Sequence, residues 1–267
     1  SFDSDGFTLG TGGQVNENTQ TYVSWNWLAN GTGSSNTDGD ITSSVSANTT
    51  AGFSIVSYTG TGSNATVGHG LGAVAKMIIF KVLDSATDWR VYHVGAGNTG
   101  ALDLNSTDAI QTNSVFFQDT TPTSSVFSIG TGSDVNTSSQ SHIAYCFSDV
   151  KGYSKFGSYT GNGNADGTFV YTGFRPAWVI TKNIGSSHSW WILDNKRDAL
   201  NPTNGRLVAE ESNVEDSAGN SHDFLSNGFK LRTSGSADVN GSGDTMVYMA
   251  FAESPFVNSN GVPNNAR

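Results

Sequence analysis

Few side chains in this chain of 267 residues could do covalent chemistry, and none stands in the spacing that a known reaction requires. A nucleophile elbow needs a serine on a strained turn between strand and helix. The nearest stretch, Gly60-Thr-Gly-Ser63, sits in a Gly-rich turn with no helical pattern behind it. Glycoside hydrolysis needs two carboxyl groups opposed across a cleft. Glu210, Glu211, Glu215 and Asp216 cluster in one acidic stretch, which reads as a solvated loop. Cys146 is the single cysteine, with no Cys-His-Asn arrangement around it; its register is that of a small packed or half-exposed residue, not a nucleophile. Calcium is the metal that the residue types fit best, through the turns Asp38-Gly-Asp40 and Asn162-Gly-Asn-Ala-Asp166-Gly. Turns of this kind arise for backbone reasons alone where Gly, Asn and Asp abound. That is the preferred reading, so no cofactor is expected and Asp38, Asp40 and Asp166 stand only as weak calcium candidates.

Sugar recognition uses exposed aromatic rings as stacking platforms beside hydrogen-bonding side chains. Two places qualify: Trp190 and Trp191 beside His188, and Trp89 beside His93. Adjacent tryptophans cannot both face one core from a regular strand, so one should point outward unless another layer covers it. Trp89 and Trp190 each lie eight residues past a lysine, Lys81 and Lys182, which marks them as structural landmarks. Tryptophan is more often core than platform, and Trp191 is the better exposed candidate of the two.

The elements that carry these residues come from a repeat. Phe7-Thr-Leu9-Gly-Thr-Gly-Gly-Gln-Val15-Asn16 aligns without a gap on Phe127-Ser-Ile129-Gly-Thr-Gly-Ser-Asp-Val135-Asn136. Both continue into an aromatic-rich segment, Tyr22-Val-Ser-Trp-Asn-Trp27 and His142-Ile-Ala-Tyr-Cys-Phe147. A third copy reads Phe229-Lys-Leu231 to Val239-Asn240, then Met246 to Phe251. This is motif B. Motif A occurs twice, as Ser57-Tyr58-Thr59-Gly60-Thr-Gly and Ser158-Tyr159-Thr160-Gly161-Asn-Gly, each followed by an apolar run at Met77 to Phe80 or Trp178 to Thr181. The tyrosine of A precedes the phenylalanine of B by 69 residues in one case and 70 in the other, so A and B form one unit. The order is B, A, B, A, B. A first B without its A implies a unit completed upstream or by a neighbouring subunit.

The repeat divides the chain into a partial repeat at 1–30, a Ser/Thr/Gly-rich linker at 31–50, repeats at 51–152 and 153–257, and a tail at 258–267. Charged residues are 13% of the chain, well below the roughly 25% of ordinary domains, while the 15 Phe, 8 Tyr and 6 Trp supply material for a packed interior. Short β-prone segments alternate with Gly-rich turns, and no sustained helical period appears. Motif B reads as a hairpin, with Val23, Trp25 and Trp27 on one face and Tyr22, Ser24 and Asn26 on the other. The expected fold is all-β: tandem antiparallel β-sandwiches, jelly-roll or Ig-like, one per AB unit, with few helices. A net charge of -10 and no Lys/Arg cluster exclude nucleic acid as a partner. The longest apolar run, around Val74 to Leu83, is interrupted by Lys76 and Lys81, so no membrane insertion is expected. The start at Ser1, without an initiator Met, reads as a processed or partial chain.

Together, Ser158-Tyr-Thr-Gly-Asn-Gly, Tyr171-Thr-Gly-Phe-Arg-Pro-Ala-Trp178-Val, Trp190-Trp-Ile-Leu-Asp194 and Phe224-Leu-Ser-Asn-Gly-Phe229-Lys230-Leu231 resemble a repeat of structural and tail-fibre-like proteins of bacteriophages, many of them marine. The resemblance covers about residues 1–30 and 51–257. It implies an oligomeric virion appendage, at the virion surface or extracellular, whose partners are copies of itself and other virion proteins, with host-surface glycans or proteins as its targets. No catalytic residue carries over, and no enzymatic activity is expected. The alternatives are a secreted adhesin or carbohydrate-binding module, and a self-assembling filament subunit that exchanges residues 1–50 between neighbours.

Overall fold

Residues 3 and 6–253 are described in a computed structural model; the expected tail at 258–267 and the end of the second repeat lie outside them. The elements run α1 (Gly13–Asn16), β1 (Ser34–Asn36), β2 (Ser43–Asn48), β3 (Phe53–Thr59), β4 (Ala65–Gly68), β5 (Met77–Val82), β6 (Arg90–His93), β7 (Gly100–Asp103), β8 (Gln111–Thr112), α2 (Ser114–Phe117), β9 (Val126–Ile129), α3 (Ser133–Asn136) and β10 (Ser141–Phe147). The second unit continues with β11 (Ser154–Thr160), β12 (Phe169–Tyr171), β13 (Pro176–Asn183), β14 (Trp191–Asp194), β15 (Thr203–Val208), β16 (Asp216–Leu225), β17 (Gly228–Leu231), α4 (Ala237–Asn240) and β18 (Thr245–Ala252). The fold is all-β, its strand ladders are antiparallel, and the described helices are single turns.

In each unit the aromatic half of B becomes a central strand. β10 lies between β3 and β5, and β18 between β11 and β13. The first half of B goes elsewhere: β9 pairs with β4, and β17 with β12 and β16, in a second layer over the main sheet. Motif B is therefore not a hairpin. The one-turn helix between its arms, α3 or α4, carries the chain from one layer to the other; the second arm pairs with the strand of motif A and with the apolar run, and the first arm with the short strand between them, β4 or β12, joined in the second unit by β16.

Residues 31–50 are not a linker. β1 pairs with β2 and β2 with β3, adding two strands to the edge of the first sheet. The hydroxyls that make this stretch resemble a linker act locally. Ser43 donates to the Gly68 carbonyl at 3.0 Å and Ser46 to the Gly31 carbonyl at 2.8 Å.

Three cores follow. One lies inside the first unit, between its sheet and the β4–β9 layer, and includes Val56, Phe80, Phe127, Ile129 and Val135. One lies inside the second unit, with Tyr159, Trp191, Phe229, Leu231 and Val239. The third joins the units: Met77, Val91, Leu102 and Phe147 of one sheet meet Trp178, Ile180, Trp190, Met249 and Phe251 of the other. Both faces of β18 are thus covered, which is why it reads as almost continuously apolar, while on β10 Ile143 and Tyr145 stay half-buried.

The first B copy joins the shared core without forming a strand. Val23, Trp25 and Trp27 are half-buried while Tyr22, Ser24 and Asn26 are exposed, as the alternation predicts. Trp27, Phe147 and Phe251 occupy equivalent places in the three copies. Their rings form a near-equilateral triangle with centroids 6.1, 5.4 and 6.3 Å apart. The three B copies therefore surround a common hub.

Candidate functional site: a latch between motifs and its open copy

The repeated polar residues build one device twice. Tyr58 of motif A donates its hydroxyl hydrogen to the Val135 carbonyl at 2.7 Å, and Tyr159 donates to the Val239 carbonyl at 2.8 Å. Burial pushes both phenols up, so they stay protonated as donors. Asn136 then plugs the turn of A. Its Oδ1 accepts from the Thr61 and Gly62 amides at 2.7 and 3.3 Å, and its Nδ2 donates to the Ser63 and Gly130 carbonyls at 2.6 and 2.8 Å. Asn240 accepts from the Asn162 amide at 3.0 Å and donates to the Asn164 and Thr233 carbonyls at 2.9 and 2.7 Å. Gly60 and Gly161 allow the close approach: a β-carbon there would run into the carbonyl oxygens of Thr137 and Gly241. Tyr-Thr-Gly-x-Gly and Val-Asn are thus two halves of a latch between residues about 75–80 positions apart.

The first B copy has its half and, among the described residues, no A partner. Its loop is folded as in the others, with the Val15 and Asn16 amides donating to the Gly12 carbonyl and Asn16 Nδ2 donating to the Gly10 carbonyl at 2.7 Å. No tyrosine of an A motif reaches Val15. Instead Tyr22 folds back, donating to the Gly13 carbonyl and accepting from the Glu17 amide, both at 2.8 Å. Phe7, Leu9 and Val15 are 42%, 44% and 48% exposed, whereas their counterparts Phe127, Phe229, Ile129, Leu231, Val135 and Val239 are at most 1% exposed.

The tryptophan pair is not a platform. Trp190 is 1% exposed and Trp191 3%, so Trp191, the better candidate for an exposed ring, is core as well. The covering layer is the other repeat. Trp190 enters the core between units and donates its indole N–H to the Asp103 carbonyl at 2.8 Å, while Trp191 faces the core of its own unit. Arg206 lies over the Trp191 ring at 4.3 Å, held by Asp216. At the equivalent place in the first unit the roles are exchanged: Arg90 stacks 4.1 Å from the Phe116 centroid and pairs with Asp103 and Asp134. His188 is a packing residue at the same seam, its Nδ1 3.0 Å from Asp238 and its amide donating to the Thr107 carbonyl.

Trp89 is partly exposed, but His93 beside it is buried and does not share a sugar-binding surface with it. The Gly95 amide donates to His93 Nδ1, so Nε2 carries the hydrogen and donates to the Tyr248 carbonyl of the other unit at 3.0 Å. Burial pulls this imidazole down to about 4 and keeps it neutral.

The remaining candidates are engaged structurally. Asp40 accepts from the Thr66 amide and hydroxyl, Asp38 from Asn36, and Asp166 pairs with Lys230. Among the described residues no three His, Cys, Asp or Glu side chains converge on a metal position. In the acidic stretch, Glu210 accepts from the Trp190 amide and Glu215 pairs with Arg197. Cys146 faces the core of the first unit instead of pointing outward, and burial pushes its thiol up. Of the two readings its register allows, small packed or half-exposed, the packed one holds, and the layer over that face, β4 and β9, comes from segments far away in sequence. Asn136, Asn240 and the A tyrosines are functional residues that the sequence shows only as parts of motifs A and B. The signal was their recurrence while the loops between them changed length.

No helix among the described residues is long and apolar enough to cross a membrane. No curated protein and no solved structure matches the chain. A family model described as a domain of unknown function, DUF7483, matches residues 1–255, a span holding both latches and the open copy. The chain belongs to the DUF7483 family.

Proposed function

We propose that the protein is a non-catalytic structural component of a bacteriophage virion appendage, a tail fibre or surface decoration that works by assembly. The observation that carries this reading is the open first B copy. It exposes three apolar side chains whose counterparts are fully buried, and unpartnered apolar surface of this kind marks a contact with another protein segment. The motif resemblance supports the virion setting. Residues 34–48 are paired within the chain, so the assembling segment is about 7–28, narrower than an exchange of residues 1–50. Quantitative peptide mass spectrometry on gradient-purified particles tests the reading: several copies per particle are expected. Recovery of the chain only from the particle-free lysate would overturn it.

A host-glycan or adhesin role draws on a different surface from the tryptophan pair. Tyr171 is 66% exposed on β12 and borders a cleft of about 460 Å³ with Asp149, Lys151 and Lys155. An aromatic ring beside charged hydrogen-bonding groups suits a sugar. Glycan-array binding lost in Tyr171→Ala and kept in wild type supports that role; equal binding by both removes it.

A further inference from the structure

We propose that the first B copy is the acceptor for an A-type module: a Ser-Tyr-Thr-Gly-x-Gly strand followed by its apolar run, seated so that a third unit completes the hub.

The structure supplies two worked examples of what covers a B copy. In both, the A tyrosine donates to the valine carbonyl of B, the B asparagine fills the A turn, and the phenylalanine, leucine or isoleucine, and valine of B disappear beneath the A layer. The first copy has the same residue types at the same places: Phe7, Leu9, Val15 and Asn16. Its loop already has the latched conformation, since Asn16 makes the bond to Gly10 that Asn136 makes to Gly130. Asn16 Oδ1, whose counterparts accept A-turn amides, receives no donor among the described residues.

The second observation is independent of the latch. The ring triangle of Trp27, Phe147 and Phe251 places the three B copies around one axis, and two of them carry a full sheet. Where the third sheet would stand there is a cleft of about 810 Å³. Trp25 and Trp27 line it on one side, and the outer face of the first sheet, through Phe53, Ile55, Ile79 and Tyr145, lines it on the other. These are the residue types that the sheets already present bury against each other. A third sheet would bring its own central pairing, giving residues 22–27 the neighbours on both edges that β10 and β18 have.

The occupant is an A module with no B of its own. Both A modules in residues 1–267 are latched to the B that follows them, so a second copy of the chain has none to lend without opening itself.

This rests on the assembly reading above, but a solution test of it fails separately from particle composition. A second copy of residues 51–120 is placed directly before Ser1, which sets the grafted tyrosine 69 residues ahead of Phe7, the native spacing. Amide hydrogen exchange is compared in grafted and ungrafted chains, with residues 141–147 as an internal control for folding. Exchange of residues 7–27 is expected to slow by about 100-fold or more on grafting, as amides enter a cooperative sheet. Asn16→Ala, or Tyr58→Phe in the grafted segment, is expected to remove much of that protection and to leave the ungrafted chain unchanged. Equal exchange with and without the graft, or protection indifferent to both substitutions, overturns the proposal. Protection of residues 7–27 that rises with concentration in the ungrafted chain also overturns it, because the occupant is then a second copy.

Discussion

Replacing the same asparagine with alanine at its three equivalent positions gives an experiment with its own control. Asn136 is fully buried and makes four hydrogen bonds to main-chain groups at 2.6 to 3.3 Å. Truncation strands the Thr61 amide and the Gly130 carbonyl and weakens the hold on the Gly62 amide and the Ser63 carbonyl, which keep the Asn136 carbonyl and the Thr61 hydroxyl as partners. A stranded buried group costs about 1–3 kcal/mol, and because neighbouring losses are not additive the total should be about 3–5 kcal/mol. Asn240 bridges the same parts and should cost about as much. Asn16 is exposed and makes one bond, to Gly10, so Asn16→Ala should cost less than about 1 kcal/mol. Urea midpoints with a shared m-value, or melting temperatures at roughly 2–4 °C per kcal/mol for a chain of this size, read the difference. If Asn16→Ala destabilises as much as Asn136→Ala, or if both buried asparagines can be removed for less than about 1 kcal/mol, the latch is not what holds A to B.

Tyr159→Phe removes only the hydroxyl that serves the Val239 carbonyl and should cost about 1–2 kcal/mol in urea denaturation; a neutral result would mean the phenol contributes packing alone. Acid should weaken the seam between units. His93 titrates near 6.5 when unfolded and at about 4 when folded, so between those values the unfolded chain binds more protons. Its contribution, roughly 3 kcal/mol, is complete above about pH 6.5 and drains away as pH falls toward 4; His222, pulled by burial to about 3, acts in the same direction. A urea midpoint unchanged between about pH 7 and pH 4.5 would contradict this. Trp191→Ala should cost about 3–5 kcal/mol in thermal denaturation, and a variant as stable as wild type would mean that the ring is not packed in the core of its unit.

The all-β fold and the repeat could be read from the sequence because both are written locally, in turn residues and in segments that align across unequal loops. Partnerships between distant segments could not. The arms of B read as a hairpin because Phe127–Ile129 and His142–Phe147 are neighbours in sequence, whereas their strand partners come from residues 53–82. Trp190 and Trp191 looked like one buried and one exposed ring because alternation counts one core, and here a second core lies on the far side of the strand. Residues 31–50 read as linker because hydroxyl side chains favour both solvent and edge strands. Only the position of β3 decides between them.

Many of the polar contacts across the latches and the seam join a side chain to a main-chain carbonyl: Tyr58 to Val135, Tyr159 to Val239, Trp190 to Asp103, His93 to Tyr248, Lys182 to Thr107. A carbonyl survives any substitution of the residue that bears it. Half of each such contact is therefore immune to mutation, and copies can drift apart in sequence while still accepting one another. Gene duplication or recombination could then lengthen, shorten or reshuffle such a chain in single steps, each product inheriting joints that already fit.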